Sequence, residues 1–246
     1  MQSQLDKLAA YAESMADLYL NAHANALILQ GLSSETLRGR LDESYGAYAY
    51  NALFRTLVLD LIRQVWAFSL DRDRRAPSIA NLWKELESAK LRSGFRQRFC
   101  DTSAIEWWGG DMPAAEVERY MESGRANYAQ AAAEAFDSGF QLLDAAIPEL
   151  LNSKIAIRLD KVRKRGIAHF NMTRPDGQTH SLFDVASLGL EVDDPSRFLL
   201  YIEPHVFRLT HLLTRGEYAI DEFKQSQRVQ AEDFWSRLMG NGAITS

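Results

Sequence analysis

Residues 50–68, YNALFRTLVLDLIRQVWAF, place Tyr50, Phe54, Leu57, Leu61, Val65 and Phe68 at successive steps of 4, 3, 4, 4 and 3. That rhythm follows the helical turn and not the two-residue alternation of a strand, so the segment predicts a helix with one apolar face. It stops at the charged turn Asp71 to Arg75, beyond which Pro77 cannot continue a helix. Ser78 then offers an N-cap for a further helix carrying Ile79, Leu82, Trp83 and Leu86.

The same spacing extends outward in both directions. Upstream, Leu5, Leu8, Ala12, Met15 and Tyr19 form a stripe that ends near Gly31. Downstream, residues 100–112, with Trp107, Trp108, Gly109 and Gly110, read as a loop anchored by aromatic burial. A long helix follows, with Pro113 in its first turn and Glu116 and Glu118 at the positive end of its dipole. Its predicted face is Val117, Tyr120, Gly124, Tyr128 and Ala131, and Pro148 marks its expected boundary. Ser153 can cap a helix bearing Ile155, Leu159 and Val162. The pattern fails after His169, and Asn171 to His180 has turn chemistry around Pro175, Asp176 and Gly177. Asp194 and Pro195 open a helix with Ile202, Val206, Leu209 and Leu213, kinked at Pro204 and closed by Gly216. A last helix is expected to turn Ile220, Phe223, Phe234 and Leu238 to one side. No Pro/Gly/Ser-rich linker, composition change or internal repeat divides the chain, so residues 1–246 read as one all-α, multi-helix domain.

Composition limits the function classes. The chain is 46% hydrophobic and 25% charged over 246 residues, and its mean hydropathy is −0.28. This excludes wholesale disorder, and no apolar run approaches the roughly 18 residues of a membrane span. Met1 to Lys7 is polar, without the apolar core of an export signal, and Cys100 is the lone cysteine; together they predict a cytoplasmic location with no membrane partner. The motifs G-x-x-x-x-G-K-[ST], G-x-G-x-x-G, G-x-S-x-G and H-E-x-x-H are absent, as is a strand–helix alternation, which argues against nucleotide-dependent and serine-hydrolase chemistry. His205 and His211 stand six residues apart, about 120° around a regular helix, a poor geometry for joint metal ligation. His23 and His180 have no telling partner, and neither a metal nor a cofactor is expected.

One segment stands apart. Residues 158–165 hold Arg158, Lys161, Arg163, Lys164 and Arg165 against the single acid Asp160, a local +4 within a chain of net charge −5, so the remainder carries −9. The overall acidity argues against coating a nucleic acid, whereas the local surplus suits one focused anion site. Guanidinium groups match phosphate oxygens in a planar fork, and a histidine close by, His169, can carry a proton near neutral pH. The plain alternative is a solvated basic helix face near a C-terminus, where the dipole favours cations.

At Arg163 to Phe170, RKRGIAHF, the sequence resembles the HEPN superfamily, whose signature is an arginine followed four to six residues later by a histidine; five residues separate Arg163 from His169. The ending Ala168-His169 is similar to the AbiU-type phage abortive-infection family, and a weaker likeness covers residues 65–86. The resemblance implies a HEPN-like up-and-down bundle over about residues 40–215, with additional N- and C-terminal helices. It further implies a homodimer whose two motifs face each other across one composite cleft. The implied activity is metal-independent cleavage of RNA by attack of its 2′-hydroxyl, in a toxin or phage-defence role for which a cognate antitoxin is a further partner class. In that scheme Arg163 and His169 are catalytic, and Arg158, Lys161, Lys164 and Arg165 hold flanking phosphates of the RNA. On a continuous helix Arg163 and His169 point about 120° apart while Arg165 and His169 share a face, so Arg165 is the geometric rival for the arginine role. Active HEPN ribonucleases often carry Asn, Asp or His after the arginine, where this chain has Lys164. A catalytically silent helical interaction or RNA-binding module is therefore the alternative, and a helical ligand-binding regulator built around Trp107 and Trp108 ranks below both.

Overall fold

A computed structural model describes residues 1–34, 37, 39, 46–103, 114–164 and 189–239. Among these, eight helices run in the order α1 (Gln2–Leu32), α2 (Gly46–Ser69), α3 (Ile79–Glu85), α4 (Ala89–Phe99), α5 (Ala114–Leu151), α6 (Lys154–Val162), α7 (Asp194–Thr214) and α8 (Ile220–Met239), with no strand. The architecture is all-α. The expected features of residues 104–113, the arginine at 165, the histidine motif residue 169 and the turn at 171–180 lie outside the described residues.

The helix α1 is the spine. Its stripe Leu5, Leu8, Ala12, Met15 and Tyr19 is buried, as the spacing predicts. It packs most extensively against α7, and also along α2 and α8. Contacts fix the directions: Ala12 O accepts from Thr210 Oγ1, whereas Tyr19, further along α1, meets Glu203, earlier in α7, so the two helices are antiparallel. Tyr50 Oη at the start of α2 donates to Leu32 O at the end of α1, and Tyr19 meets Phe68, so α1 and α2 are antiparallel too. Gln227 Nε2 donates to Leu20 O, and Trp235 lies against Gly31, which makes α8 parallel to α1. The result is an up-and-down bundle.

The core at the α1, α2 and α7 junction is aromatic. Tyr19 is fully buried, edge-on to Phe68 and Phe207 at centroid distances of 6.1 and 5.2 Å. Its hydroxyl donates to Glu203, whose carboxylate also receives Lys224 Nζ from α8 at 2.9 Å. Burial, reinforced by the neighbouring Glu203, pushes the Tyr19 phenol above its ordinary range, so the group stays a neutral donor.

Four expectations need correction. The helix α5 runs through Pro148 to Leu151; Pro148 and Asp144 are both exposed, so the carbonyl that the proline leaves without an intrahelical donor is on the solvent side. The boundary comes instead at Asn152, and Ser153 caps α6 by accepting from Ala156 N at 3.2 Å. In α5 the buried face is Ala132, Phe136, Phe140, Leu143, Ile147 and Leu150, while Tyr120 and Tyr128 of the predicted face stay exposed. In α8 Phe223, Phe234 and Leu238 are exposed, and Ala231 and Trp235 are buried. The inward face at Lys224, Gln227, Ala231 and Trp235 includes two polar residues that bond to α7 and α1, which is why an apolar count selects the neighbouring face. Finally, α7 closes at Arg215 and not at Gly216: Arg215 takes the left-handed conformation at φ 61°, ψ 7°. Its guanidinium donates to Asp101 O at 2.7 Å and Tyr128 Oη at 3.2 Å, contacts that hold a non-glycine residue there. The helix α7 continues past Pro204 to Thr214.

Candidate functional site

The helix α6 buries Ala156, Leu159 and Val162 and turns its remaining residues to the flanks and to solvent. It packs on α2, α5 and α7. Arg163 closes it in right-handed helical conformation at φ −60°, ψ −47°, its N–H directed to Asp160 O and Leu159 O. The arginine of the motif thus leaves the helix end beside α2. There its guanidinium lies over the Trp66 ring, 5.0 Å from the centroid.

A small polar cluster surrounds that contact. Trp66 Nε1–H donates to Asp160 Oδ1 at 3.0 Å, and Lys164 Nζ reaches Asp160 Oδ2 at 2.6 Å. Asp160 therefore joins α2 to the end of α6 and occupies Lys164, while the guanidinium rests over the indole. The Asp160–Lys164 pair has the i,i+4 spacing and is exposed, so it adds only about 0.3–0.5 kcal/mol. The stacked Arg163 adds about 0.5–1 kcal/mol.

The other basic residues of the segment diverge. Arg158 turns to the opposite flank, where Nη1 lies 3.9 Å from Asp194 Oδ2 and the guanidinium borders Gly189, a turn residue at φ +69°. Asp194 is nearly buried and also accepts from Glu191 N at 2.9 Å, which makes Arg158 part of the joint that starts α7. Lys161 is exposed and lines, with Lys164, a groove of about 440 Å³ between α6 and the turn after α2. Asp71, Arg72 and Asp73 from that turn, Asn152 and Ile157, and Trp66 with Asp160 also line it. Lys161, Lys164 and Arg72 are balanced there by Asp71, Asp73 and Asp160. Asp71 Oδ1 accepts from Asp73 N at 2.9 Å, and the Arg75 guanidinium beside Asp73 holds that carboxyl below its usual range. Of the basic run, Lys164 is thus paired with Asp160 and Arg158 lies near Asp194.

Arg163 and Lys164 share one cluster through Trp66 and Asp160, Lys161 shares the groove of Lys164, and Arg158 joins neither. Arg165 and His169 lie outside the described residues. Sequence reasoning missed Trp66 and Arg72, and counted Asp160 only as a lone acid. The i,i+4 spacing of Asp160 and Lys164 was a usable signal, but the pairing of Trp66 with Asp160 spans 94 residues and leaves no local trace.

The described histidines, His23, His205 and His211, lie within the helix packing. His23 Nδ1 lies 2.7 Å from Gln227 Oε1, and His211 Nδ1 lies 3.2 Å from Gly216 O with Phe99 edge-on at 5.2 Å. His205 Nδ1 is buried without a hydrogen-bond partner among the described residues, and burial, then Arg208, holds its imidazole below the ordinary value. Among the described residues no group of three or more His, Cys, Asp or Glu could hold a metal ion. No described helix is long and apolar enough to cross a membrane.

No curated protein and no solved structure matches the chain. The model of the HEPN family AbiU2 matches residues 5–234, from the first turns of α1 to the last turns of α8, and the chain therefore belongs to that family.

Proposed function

We propose that the protein is a metal-independent endoribonuclease of the toxin, abortive-infection kind, acting on RNA as a homodimer with a composite cleft. The observation that carries this reading is the placement of Arg163, the motif arginine, at the C-terminal cap of α6, with its guanidinium over the Trp66 ring and without a carboxylate partner among the described residues. Membership of the family supports it, as does the intact pair Arg163 and His169 in the sequence.

In this scheme the 2′-hydroxyl of one nucleotide attacks the adjacent phosphorus, the bond to the 5′-oxygen breaks, and the products carry a 2′,3′-cyclic phosphate and a 5′-hydroxyl. His169 moves the proton as general acid or base, typically worth about 10² to 10⁴ in rate. Arg163 stabilises the charge that develops on the phosphoryl oxygens. Lys161, with Arg72 of the same groove, holds flanking phosphates, as do Lys164 once released from Asp160 and Arg165. Arg158, tied to Asp194, is the weakest candidate for that role. DNA lacks the nucleophile and is inert.

The second reading, a catalytically silent RNA-binding or interaction module, is favoured by the pairing of Lys164 with Asp160 and by the balanced charge of the groove. Induced expression separates the two. The ribonuclease reading predicts growth arrest that His169→Ala and Arg163→Ala abolish at equal protein level; the silent module predicts no arrest, or arrest that both variants retain.

A further inference from the structure

We propose that Trp66 is a positioning residue that presents the Arg163 guanidinium to an RNA phosphate, with Asp160 holding the indole in place; the proposal rests on the ribonuclease reading above. Arg163 is the C-terminal cap of α6 and has a long, flexible side chain, so its head group needs an external support to be preorganised. The nearest helical carboxylate, Asp160, is directed elsewhere: its two oxygens receive Trp66 Nε1 and Lys164 Nζ. What supports Arg163 is the indole face at 5.0 Å.

The choice of support has a chemical consequence. A carboxylate would consume the N–H donors of the guanidinium and cancel its charge. An aromatic face engages the flat side of the cation and leaves the in-plane donors free for the bidentate fork that phosphate oxygens accept. Trp66 is itself fixed at two levels. Its neighbours Val65 and Phe68 anchor α2 in the core, and its N–H is tied to Asp160 on the same helix that carries Arg163. The ring and the arginine are thereby held in one frame across a 94-residue separation to Asp160.

A double-mutant cycle on the full chain tests this, with a short RNA as substrate. Trp66→Leu should lower kcat about tenfold while KM stays within about twofold, because support is lost and the lysine contacts are not. Trp66→Phe keeps a ring face and should recover most of the rate even though it loses the N–H. In an Arg163→Ala background, Trp66→Leu should cost nothing further, the non-additivity of residues acting as a unit. An equal cost in both backgrounds, or no cost in either, overturns the proposal. A readout independent of cleavage guards against variants that fold poorly and against a silent protein. In ¹⁵N NMR the Arg163 Nε–H resonance, assigned by its loss in Arg163→Ala, should be shifted upfield by the indole, stay shifted in Trp66→Phe and return in Trp66→Leu. A resonance unshifted in the wild type overturns the proposal. A shifted one in a wild type that cleaves no RNA overturns the ribonuclease reading and leaves the arginine–indole support in place.

Discussion

Gly31 of α1 lies against the Trp235 indole of α8 so closely that a β-carbon at Gly31 would stand 2.1 Å from Trp235 Cδ1 and Nε1. No side chain fits between the two helices there. Gly31→Ala should therefore push the indole out of its seat and destabilise the protein by about 1–3 kcal/mol, the usual cost of overpacking. Urea unfolding measures it. In a Trp235→Ala background the same substitution should be close to neutral, because the clash partner is gone.

Tyr19, Glu203 and Lys224 tie α1, α7 and α8 through one half-buried carboxylate. Tyr19→Phe keeps the ring contacts with Phe68 and Phe207 and removes only the hydroxyl, so its cost is that of a hydrogen bond to a charged group, about 1.5–3 kcal/mol. Lys224→Met should cost a similar amount by leaving Glu203 without its cation. The combined variant should lose less than the sum, since both act on the same oxygens.

How far the sequence discloses this fold is visible in two helices. The α1 stripe Leu5 to Tyr19 is legible because Leu5, Leu8, Ala12, Met15 and Tyr19 are hydrophobic residues at helical spacing on one buried face. The inward face of α8 is not, because Lys224 and Gln227 point into the bundle to meet a carboxylate and a carbonyl that belong to other helices. Local periodicity cannot register polar residues that are buried only because distant partners receive them. The candidate site divides the same way. Arg163, Lys161 and Lys164 stand out as a charge run, but Trp66 and Arg72 reach them only through the packing of α2 on α6, and the Arg158 interaction with Asp194 shows that a basic run need not act as one patch.

His205 predicts a pH dependence with a definite sign. Its folded-state imidazole is held below the ordinary value by burial and by Arg208, so the folded protein resists protonation. Above about pH 6.5 the group is neutral in both states; as pH falls below that, the unfolded chain takes up the proton first, and stability is lost until the pH passes the lowered folded value. His205→Leu should remove this acid-side loss. Thermal unfolding at stepped pH checks it: the wild-type midpoint should fall between pH 7 and 5 by more than that of the variant.

Lys161 and Arg72 line the same groove. If both hold phosphates, Lys161→Ala and Arg72→Ala should each weaken binding to a single-stranded RNA and each reduce the slope of log affinity against log salt by about 0.7. Arg158→Ala should leave that slope unchanged and instead lower thermal stability, since it loosens the turn at Gly189 and Asp194. Fluorescence anisotropy at several salt concentrations separates the two outcomes.

The most direct measurement of the central claim is cleavage of a defined RNA by the purified protein in EDTA, beside His169→Ala prepared in the same way. The ribonuclease account predicts that the wild type cleaves with 2′,3′-cyclic phosphate ends, leaves the corresponding DNA intact, and loses at least about a hundredfold in rate in His169→Ala while the variant melts at the same temperature. Equal RNA degradation by both proteins, or none by either, would contradict it.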